Sequence, residues 1–442
     1  MSILWQLDRS QWWPPEALVE RQWRQLGEVV AHARATVPIY ADRLGGVAHE
    51  AAGGTGPLDP TTWDTIPVLT RAEAQEHQDA LVSTAPPSSH GEIFEGATSG
   101  STGRPLRTRS SFFSQMMWRS LTLREHLWHR RDFSACLAVI RQLPGADDGR
   151  AEGSMATSWG VATAGVVRTG PAAMLSISRT IPEQFAWLER VRPGYILSYP
   201  SNLLALAEHA LAGDRKLPGL LGVRSFGEAV DDRVQATCEK AWGVPFVDFY
   251  SSQEAGYIAL QCPESGQYHV QSEAVMVEVL DEQGLPCRPG ATGRVIVSTL
   301  HNFATPLLRY DSGDYATVGE ACPCGRGLPT LSRVLGRERN MFLRPDGHRV
   351  WPNLGDASHY RAATAAVPRV LQFQVVQRRV DHVEVILVTE TPFTASDEAV
   401  YADFLRGALG FPFDVTFTYV DAIARSAGGK YEDFRSEVRS SG

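Results

Sequence analysis

The chain has 442 residues, enough for two or more domains at roughly 100 to 200 residues each. Its 42 basic and 50 acidic residues leave a net charge of −8 without a basic block, which argues against a nucleic-acid partner. Apolar residues at 43% and charged ones at 21% are ordinary globular usage, and no apolar run reaches the roughly 18 to 20 residues of a membrane span.

The start, MSILWQLDRSQWWPPE, has no basic leader and no small-residue cleavage site, so a cytoplasmic protein is expected. After Pro14 and Pro15, the residues Val19, Trp23, Leu26, Val30 and Ala33 recur at helical spacing and predict an amphipathic helix with that stripe in the core. Residues 46–67 and 84–91 are rich in Gly, Pro, Ser and Thr and read as loops. A second helix is expected across Ser111 to Arg130.

Between them stands EGATSGSTGRPLRT, from Glu95 to Thr108. A Walker-type phosphate loop needs G-x-x-x-x-G-K-[ST] running into a helix. Here Gly100 and Gly103 are only three apart, no lysine follows, and Pro105 with LRTRSS predicts an extended exit. What is left is a loop with free backbone N–H groups and the hydroxyls of Thr98, Ser99, Ser101 and Thr102, suited to polyphosphate oxygens.

From about 133 to 250, strand-like runs alternate with helical ones: SACLAVI, GYILSYP then SNLLALAEHALAG, LLGVRSF then DDRVQATCEKAWG, and PFVDFY. That is the rhythm of an α/β domain. EAVMVEVLDEQGLPCRPGATGRVIVSTL then reads as strand, turn, strand, an antiparallel portion. The last hundred residues give strands near 370–377 and 380–389, a helix near 396–409 and the strand FDVTFTYV, a small α+β unit. The expected fold is therefore α/β: a large N-terminal domain, 1–337, with an antiparallel portion, and a small mobile α+β domain, 338–442.

Six cysteines in a chain of this size do not make a disulfide framework. Cys262 and His269 are separated by six residues, and Cys322-Pro-Cys324 follows downstream. Three thiolates and one imidazole are a four-donor set suited to tetrahedral Zn²⁺, although C-x-C is tighter than the common C-x₂-C; reduced buried thiols are the alternative. Cys136, Cys238 and Cys287 have no partner in sequence and read as ordinary thiols.

TSGSTGRP resembles the nucleotide-phosphate loop of the adenylate-forming superfamily, which includes acyl-CoA synthetases, peptide-synthetase adenylation domains and luciferases. Further stretches resemble that superfamily's motifs in the expected order: SFGEAVDD, DFYSSQEAG, RYDSGDYA, LGRERN and SAGGKYEDF. HARATVPIYADRL, TIPVLTRAEAQE and GYILSYPSNLLALAEHA are similar to its phenylacetate-CoA ligase branch and capsule-biosynthesis-like relatives, so the likeness covers nearly the whole chain.

The resemblance implies ATP and AMP contacts from Thr98, Ser99, Gly100, Ser101, Thr102, Gly103, Gly227, Glu228, Tyr250, Ser251, Asp314 and Arg337. It further implies Mg²⁺ on Glu254, catalysis by Lys430, and a structural Zn²⁺ on Cys262, His269, Cys322 and Cys324. Phe226, Ser252 and Gln253 would border the acid. The implied reaction is activation of a carboxylic acid, most simply an aromatic one, to an acyl-adenylate with release of pyrophosphate, followed by transfer to CoA.

Ser251 and Gln253 depart from the family's Gly and Thr, and Arg339 and Asn340 stand where the branch commonly has two acids. Two alternatives stay open: a ligase that hands the acyl group to an amine or a carrier-protein thiol, and a non-catalytic zinc-stabilised binding protein. A homodimer would suit the branch; no nucleic acid or membrane is expected.

Overall fold

In the computed structural model the described residues are 2–45, 58–97, 105–143, 145, 152–352, 354, 360 and 362–438. The chain forms two compact units. One takes Met1–Leu137, Met155–Ala173 and Val247–Leu335, the other Ala138–Ser154, Met174–Phe246 and Gly336–Gly442.

In the first unit, helix Pro15–Thr36 starts on Pro14 and Pro15, whose fixed φ suits a first turn with no N–H to satisfy. It buries Leu18, Gln22, Leu26, Val29, Val30 and Ala33, while Val19 is 42% exposed. The expected stripe thus holds at Leu26, Val30 and Ala33, with Trp23 packed against that core, and departs at Val19, where Leu18 and Gln22 are buried instead. The reason is polar: Gln22 turns inward and its Nε2 donates to the carbonyls of Ser272 and Val275, both at 3.0 Å.

Helix Phe112–Trp128 is capped by Ser111, whose hydroxyl accepts from the Ser114 N–H. The antiparallel portion lies in this unit, with strands in the spatial order Val275–Leu280, Thr292–Thr299, Tyr310–Val318, Thr330–Arg337, Tyr268–Val270, Gly256–Gln261 and Phe246–Ser252. Ile93–Ala97 and Arg107–Ser111 form a separate antiparallel pair. Its register, Ile93 opposite Ser111 and Ala97 opposite Arg107, brings together the two ends of the Gly/Ser/Thr loop.

The second unit holds parallel strands Tyr195–Ser198 and Gly222–Phe226, with helix Pro200–Ala212 between them in sequence. Helix Asp232–Trp242 follows, capped by Asp231. The chain from Gly336 onward adds a four-stranded sheet ordered Asp414–Tyr419, His382–Thr389, Val370–Arg379 and Phe434–Ser436. Helix Ala395–Leu409 covers it, begun by a reciprocal Thr394/Asp397 cap and ended at Gly410, φ 62°. Phe342, Phe373, Val375, Val385, Leu387, Tyr401, Leu405 and Phe413 form one core there. The architecture is the mixed α/β fold with a small α+β part that the sequence predicts.

Candidate functional site

In the first unit, strands Phe246–Ser252 and Gly256–Gln261 pair antiparallel with a register shift between Tyr250 and Ser251. Such a bulge re-aims side chains at a strand end. The Tyr250 hydroxyl donates to Asp314 Oδ2 at 2.8 Å, so the two residues proposed for the adenosine side are hydrogen-bonded to each other. Asp314 sits within strand Tyr310–Val318, held by Ser312 Oγ, which accepts the Asp314 N–H at 3.2 Å. In the turn that joins the two strands, Ser252 Oγ accepts the Ala255 N–H at 3.0 Å, and Gln253 is exposed.

Glu254 occupies that same turn and is buried, its side chain 6% exposed. Its Oε1 receives Arg71 Nη1 at 2.7 Å, and the same nitrogen donates to the Tyr310 hydroxyl at 3.1 Å. Arg71 was not among the expected site residues. Leu69 bridges to strand Tyr310–Val318, with its N–H on the Arg309 carbonyl at 2.8 Å and its carbonyl accepting from Asp311 at 2.9 Å. Thr70 and Glu73 then cap helix Arg71–Glu76 reciprocally and fix the arginine's backbone. One signal was available: a basic residue in the first turn of a helix opposes the macrodipole, so it needs a partner elsewhere.

The second unit gathers Phe226, Gly227, Glu228 and Lys430. Gly227 has φ 82°, and a Cβ on it would stand 3.4 Å from Lys430 Cε, 3.5 Å from Tyr199 Cε1 and 3.7 Å from Lys430 Nζ. The positive φ is what calls for glycine there; a Cβ would meet its neighbours only at ordinary contact distance. The Phe226 and Tyr199 rings pack together at a tilt of 34°, centroids 4.8 Å apart. The Tyr199 hydroxyl donates to the Gly428 carbonyl at 2.8 Å, and the loop closes on itself through Ser426 N–H to Lys430 O and Gly429 N–H to Ser426 O, both 2.8 Å. Of the 42 basic residues only three are lysines, Lys216, Lys240 and Lys430.

Glu228 accepts the Tyr431 N–H at 2.6 Å and the Ser201 N–H at 3.0 Å, with Arg425 at 3.5 Å. Burial pushes its carboxyl above the usual range, opposed by the Arg425 charge and the two backbone donors. Arg337 donates its N–H to Asn340 Oδ1 at 3.1 Å. Thr98, Ser99, Gly100, Ser101, Thr102 and Gly103 lie outside the described residues.

A third cluster, again in the first unit, brings Cys262, His269, Cys322 and Cys324 together, with all four donor atoms within 4.8 Å of one another. The sulfurs of Cys262 and Cys322 are 3.7 Å apart. Two sulfurs each about 2.3 Å from a tetrahedral ion would be separated by roughly 3.8 Å. His269 Nδ1 donates to the Leu328 carbonyl at 3.2 Å, which leaves the Nε2 lone pair facing Cys324 Sγ at 3.3 Å.

Burial holds the His269 imidazole neutral, its pKa down at about 4. Burial also pushes the Cys322 thiol up to about 11. At Cys262 burial opposes ionisation, but the Ser265 and Glu264 N–H groups outweigh it and draw the pKa down. Without an ion the Cys322 thiol keeps its proton and points it at Cys262; a cation that replaced that proton would be held by the thiolates, and the donor set and spacing fit one. Around the cluster, Gln11 takes the Gly327 N–H on its carbonyl at 2.9 Å and Arg326 on its side chain at 3.1 Å. Trp128 lies edge-on to His269, centroids 5.7 Å apart.

A family model described as the CapK C-terminal domain matches residues 356–436. A phenylacetate-coenzyme A ligase of Thermus thermophilus is 26% identical over 94% of this chain and 96% of its own length. Among solved structures, a 2-hydroxyisobutyryl-CoA ligase in its postadenylation state superposes with a TM-score of 0.72 at 19% identity, covering 96% of this chain and 91% of the other. An anthranilate CoA ligase bound to anthranoyl-AMP gives 0.54 at 16% identity, covering 76% of this chain and 65% of the other. The chain is a homologue of phenylacetate-coenzyme A ligase built on the fold of the adenylate-forming ligases.

Proposed function

We propose that this chain is an AMP-forming carboxylic acid ligase with CoA as acceptor. In the first step a carboxylate oxygen attacks the α-phosphorus of ATP, the bond from that phosphorus to the bridging oxygen breaks, and pyrophosphate leaves. In the second the CoA sulfur, having lost its proton, attacks the acyl carbon, and the bond to AMP breaks. The observation that carries this reading is Lys430, one of three lysines, set beside the Gly227 and Glu228 turn.

A carboxylate approaching a triphosphate meets a repelling polyanion, so catalysis comes from positioning and charge neutralisation. The Lys430 ammonium, a compact charge on a flexible stem, would lie between carboxylate and α-phosphate. Tyr250 and Asp314 would hold the adenosine, and residues 98–103 the outer phosphates. At Glu254, Arg71 engages Oε1, and Oε2 is the donor a hard cation would take. Magnesium held there would neutralise phosphate charge. The acid is aromatic in this reading, consistent with the packed aromatic rings of Tyr199 and Phe226.

Zinc on Cys262, His269, Cys322 and Cys324 would be structural, since four protein donors leave no open position. Residues 1–337 form the body in this reading, and 338–442 the small domain that carries the lysine, acting in the cytoplasm, where ATP and CoA are supplied. The test is ATP–pyrophosphate exchange with a panel of aryl and arylalkyl acids, followed by CoA, amines and a carrier protein offered as acceptors. Exchange with an acid, lost in Lys430→Ala, and thioester formation with CoA are expected. A panel without any exchange would sink the reading, and transfer to an amine or carrier thiol alone would replace its second step.

A further inference from the structure

Within the second unit, the segment that carries Lys430 is held on two sides. One side is the docking just described: Glu228 on the Tyr431 N–H, and Tyr199 on the Gly428 carbonyl. The other is the short turn Glu338–Asn340, directly after strand Thr330–Arg337. Arg339 forms an ion pair with Glu432 across 93 residues of sequence. Asn340 Nδ2 donates to the Phe434 carbonyl at 2.7 Å, while its Oδ1 takes the Arg337 N–H at 3.1 Å. One side chain thus bonds the turn's own backbone and the strap of chain that leads to the lysine. Strand Val370–Arg379 completes the seat, with Gln374 Nε2 on the Glu432 carbonyl at 2.9 Å and the Val375 N–H on the Asp433 carbonyl at 2.8 Å.

We propose that Arg339 and Asn340 are positioning residues for Lys430, clamping residues 432–434 to the turn that opens the C-terminal segment so that the turn's conformation sets where the ammonium lies. The need for a clamp follows from lysine itself. Its four-carbon stem is loose, so its head can be placed only by placing its backbone. A displacement of about 1 Å at a reacting group costs about a hundredfold in rate. Arg339 and Glu432 are each 23% exposed, and such a pair adds little to global stability, so its removal should be felt locally. Positions 339 and 340 are also where two acids were expected. Opposite Glu432 an acid would repel, and arginine is the complement.

The proposal rests on the adenylation reading for the reaction, but its first test needs no substrate. Arg339→Glu, Glu432→Arg and the double exchange are labelled with acetic anhydride, and acetylation of Lys430 is measured by peptide mass spectrometry against Lys216 and Lys240 in the same tube. Each single exchange should change the relative labelling of Lys430 about fivefold or more, and the double exchange should restore it to within about twofold. Where an acid supports exchange, the singles should lower kcat about tenfold with KM for ATP within about threefold, again recovered in the double. Unaltered labelling and kcat in both singles overturns the proposal, as does a loss that the double exchange fails to recover. Should Arg339→Glu not fold, Arg339→Ala should show the altered labelling and Arg339→Lys should restore it; equal behaviour of those two also overturns it. If the wild type exchanges no acid, the proposed reaction fails while the labelling result still decides the clamp.

Discussion

Arg71 and Glu254 meet at 2.7 Å, a pair brought together from 183 residues apart in sequence, with side chains 15% and 6% exposed. Both charges are largely out of water, so each stabilises the other, and Tyr310 adds a hydrogen bond to the arginine. The pair also ties helix Arg71–Glu76 to the turn that presents Glu254.

Breaking that pair from one side should be costly. Arg71→Ala leaves a buried carboxylate uncompensated and is expected to destabilise the protein by about 3 kcal/mol. Adding Glu254→Gln removes the orphaned charge and should return more than half of the loss, because neighbours in one ion pair are not additive. Urea midpoints of the two singles and the double decide it, and simple additivity would show that the pair does not act as a unit.

Gly227→Ala addresses the second unit. The backbone there has φ 82°, a conformation an L side chain strains, and the new Cβ would lie in van der Waals contact with the Lys430 stem and the Tyr199 ring at 3.4 and 3.5 Å. Strain of this kind costs about 1 to 3 kcal/mol. In the proposed reaction, where Lys430 is the catalytic group, the expected outcome is a modest fall in melting temperature together with about a tenfold fall in adenylation, because the strained turn lies against the Lys430 stem. A variant with full exchange activity and lowered stability would separate Gly227 from Lys430 placement.

Much of this was legible in the sequence for physical reasons. Strands Tyr195–Ser198, Gly222–Phe226, Val275–Leu280 and Thr292–Thr299 fall on apolar runs bounded by turn residues, and helix Ala395–Leu409 on a helical pattern closed by Gly410. That Cys262, His269, Cys322 and Cys324 would come together was legible from donor chemistry joined to the family resemblance. Arg71 was not, because its partner is set by a strand bridge at Leu69 that no local pattern encodes. Neither was Gln22, a polar residue on the buried face whose value depends on carbonyls some 250 residues away. Arg339 read as a departure until Glu432 stood opposite it.

Asp433 gives a pH signature to the strap that carries Lys430. Burial raises its pKa to about 7 from an ordinary 3.8, with Asp231 and Glu228 adding to the shift and Arg233 and Arg425 opposing it. Between those two values the native state keeps a proton that the unfolded chain releases. The group's contribution is therefore fully present below the unfolded value and is lost as pH rises through 7. Asp433→Asn, which cannot ionise, should match wild type in stability near pH 4 and exceed it at pH 8 by about 2 kcal/mol or more. Urea denaturation at the two pH values measures the difference, and an equal offset at both would mean that Asp433 stays ionised in the folded protein.

The cysteine and histidine cluster predicts what metal removal does. His269 lies in strand Tyr268–Val270, which is between Gly256–Gln261 and Thr330–Arg337; Cys262 directly follows the former, and Cys322 and Cys324 come from the loop before the latter. An ion bound by all four would therefore staple that loop to the middle of the antiparallel portion, and through Gly327 and Arg326 to Gln11 in the N-terminal segment. Binding energy at such a site is folding energy, because the unfolded chain has no preformed donor set. Purified protein should hold about one zinc per chain. Cobalt substitution should give thiolate-to-cobalt charge transfer and the strong visible bands of a tetrahedral site. Cys322→Ser should lose most of the metal and lower the melting temperature by about 5 °C or more, whereas Cys287→Ser, outside the cluster, should change neither. Metal-free wild type with an unchanged melting temperature would return the four residues to buried thiols and a core histidine.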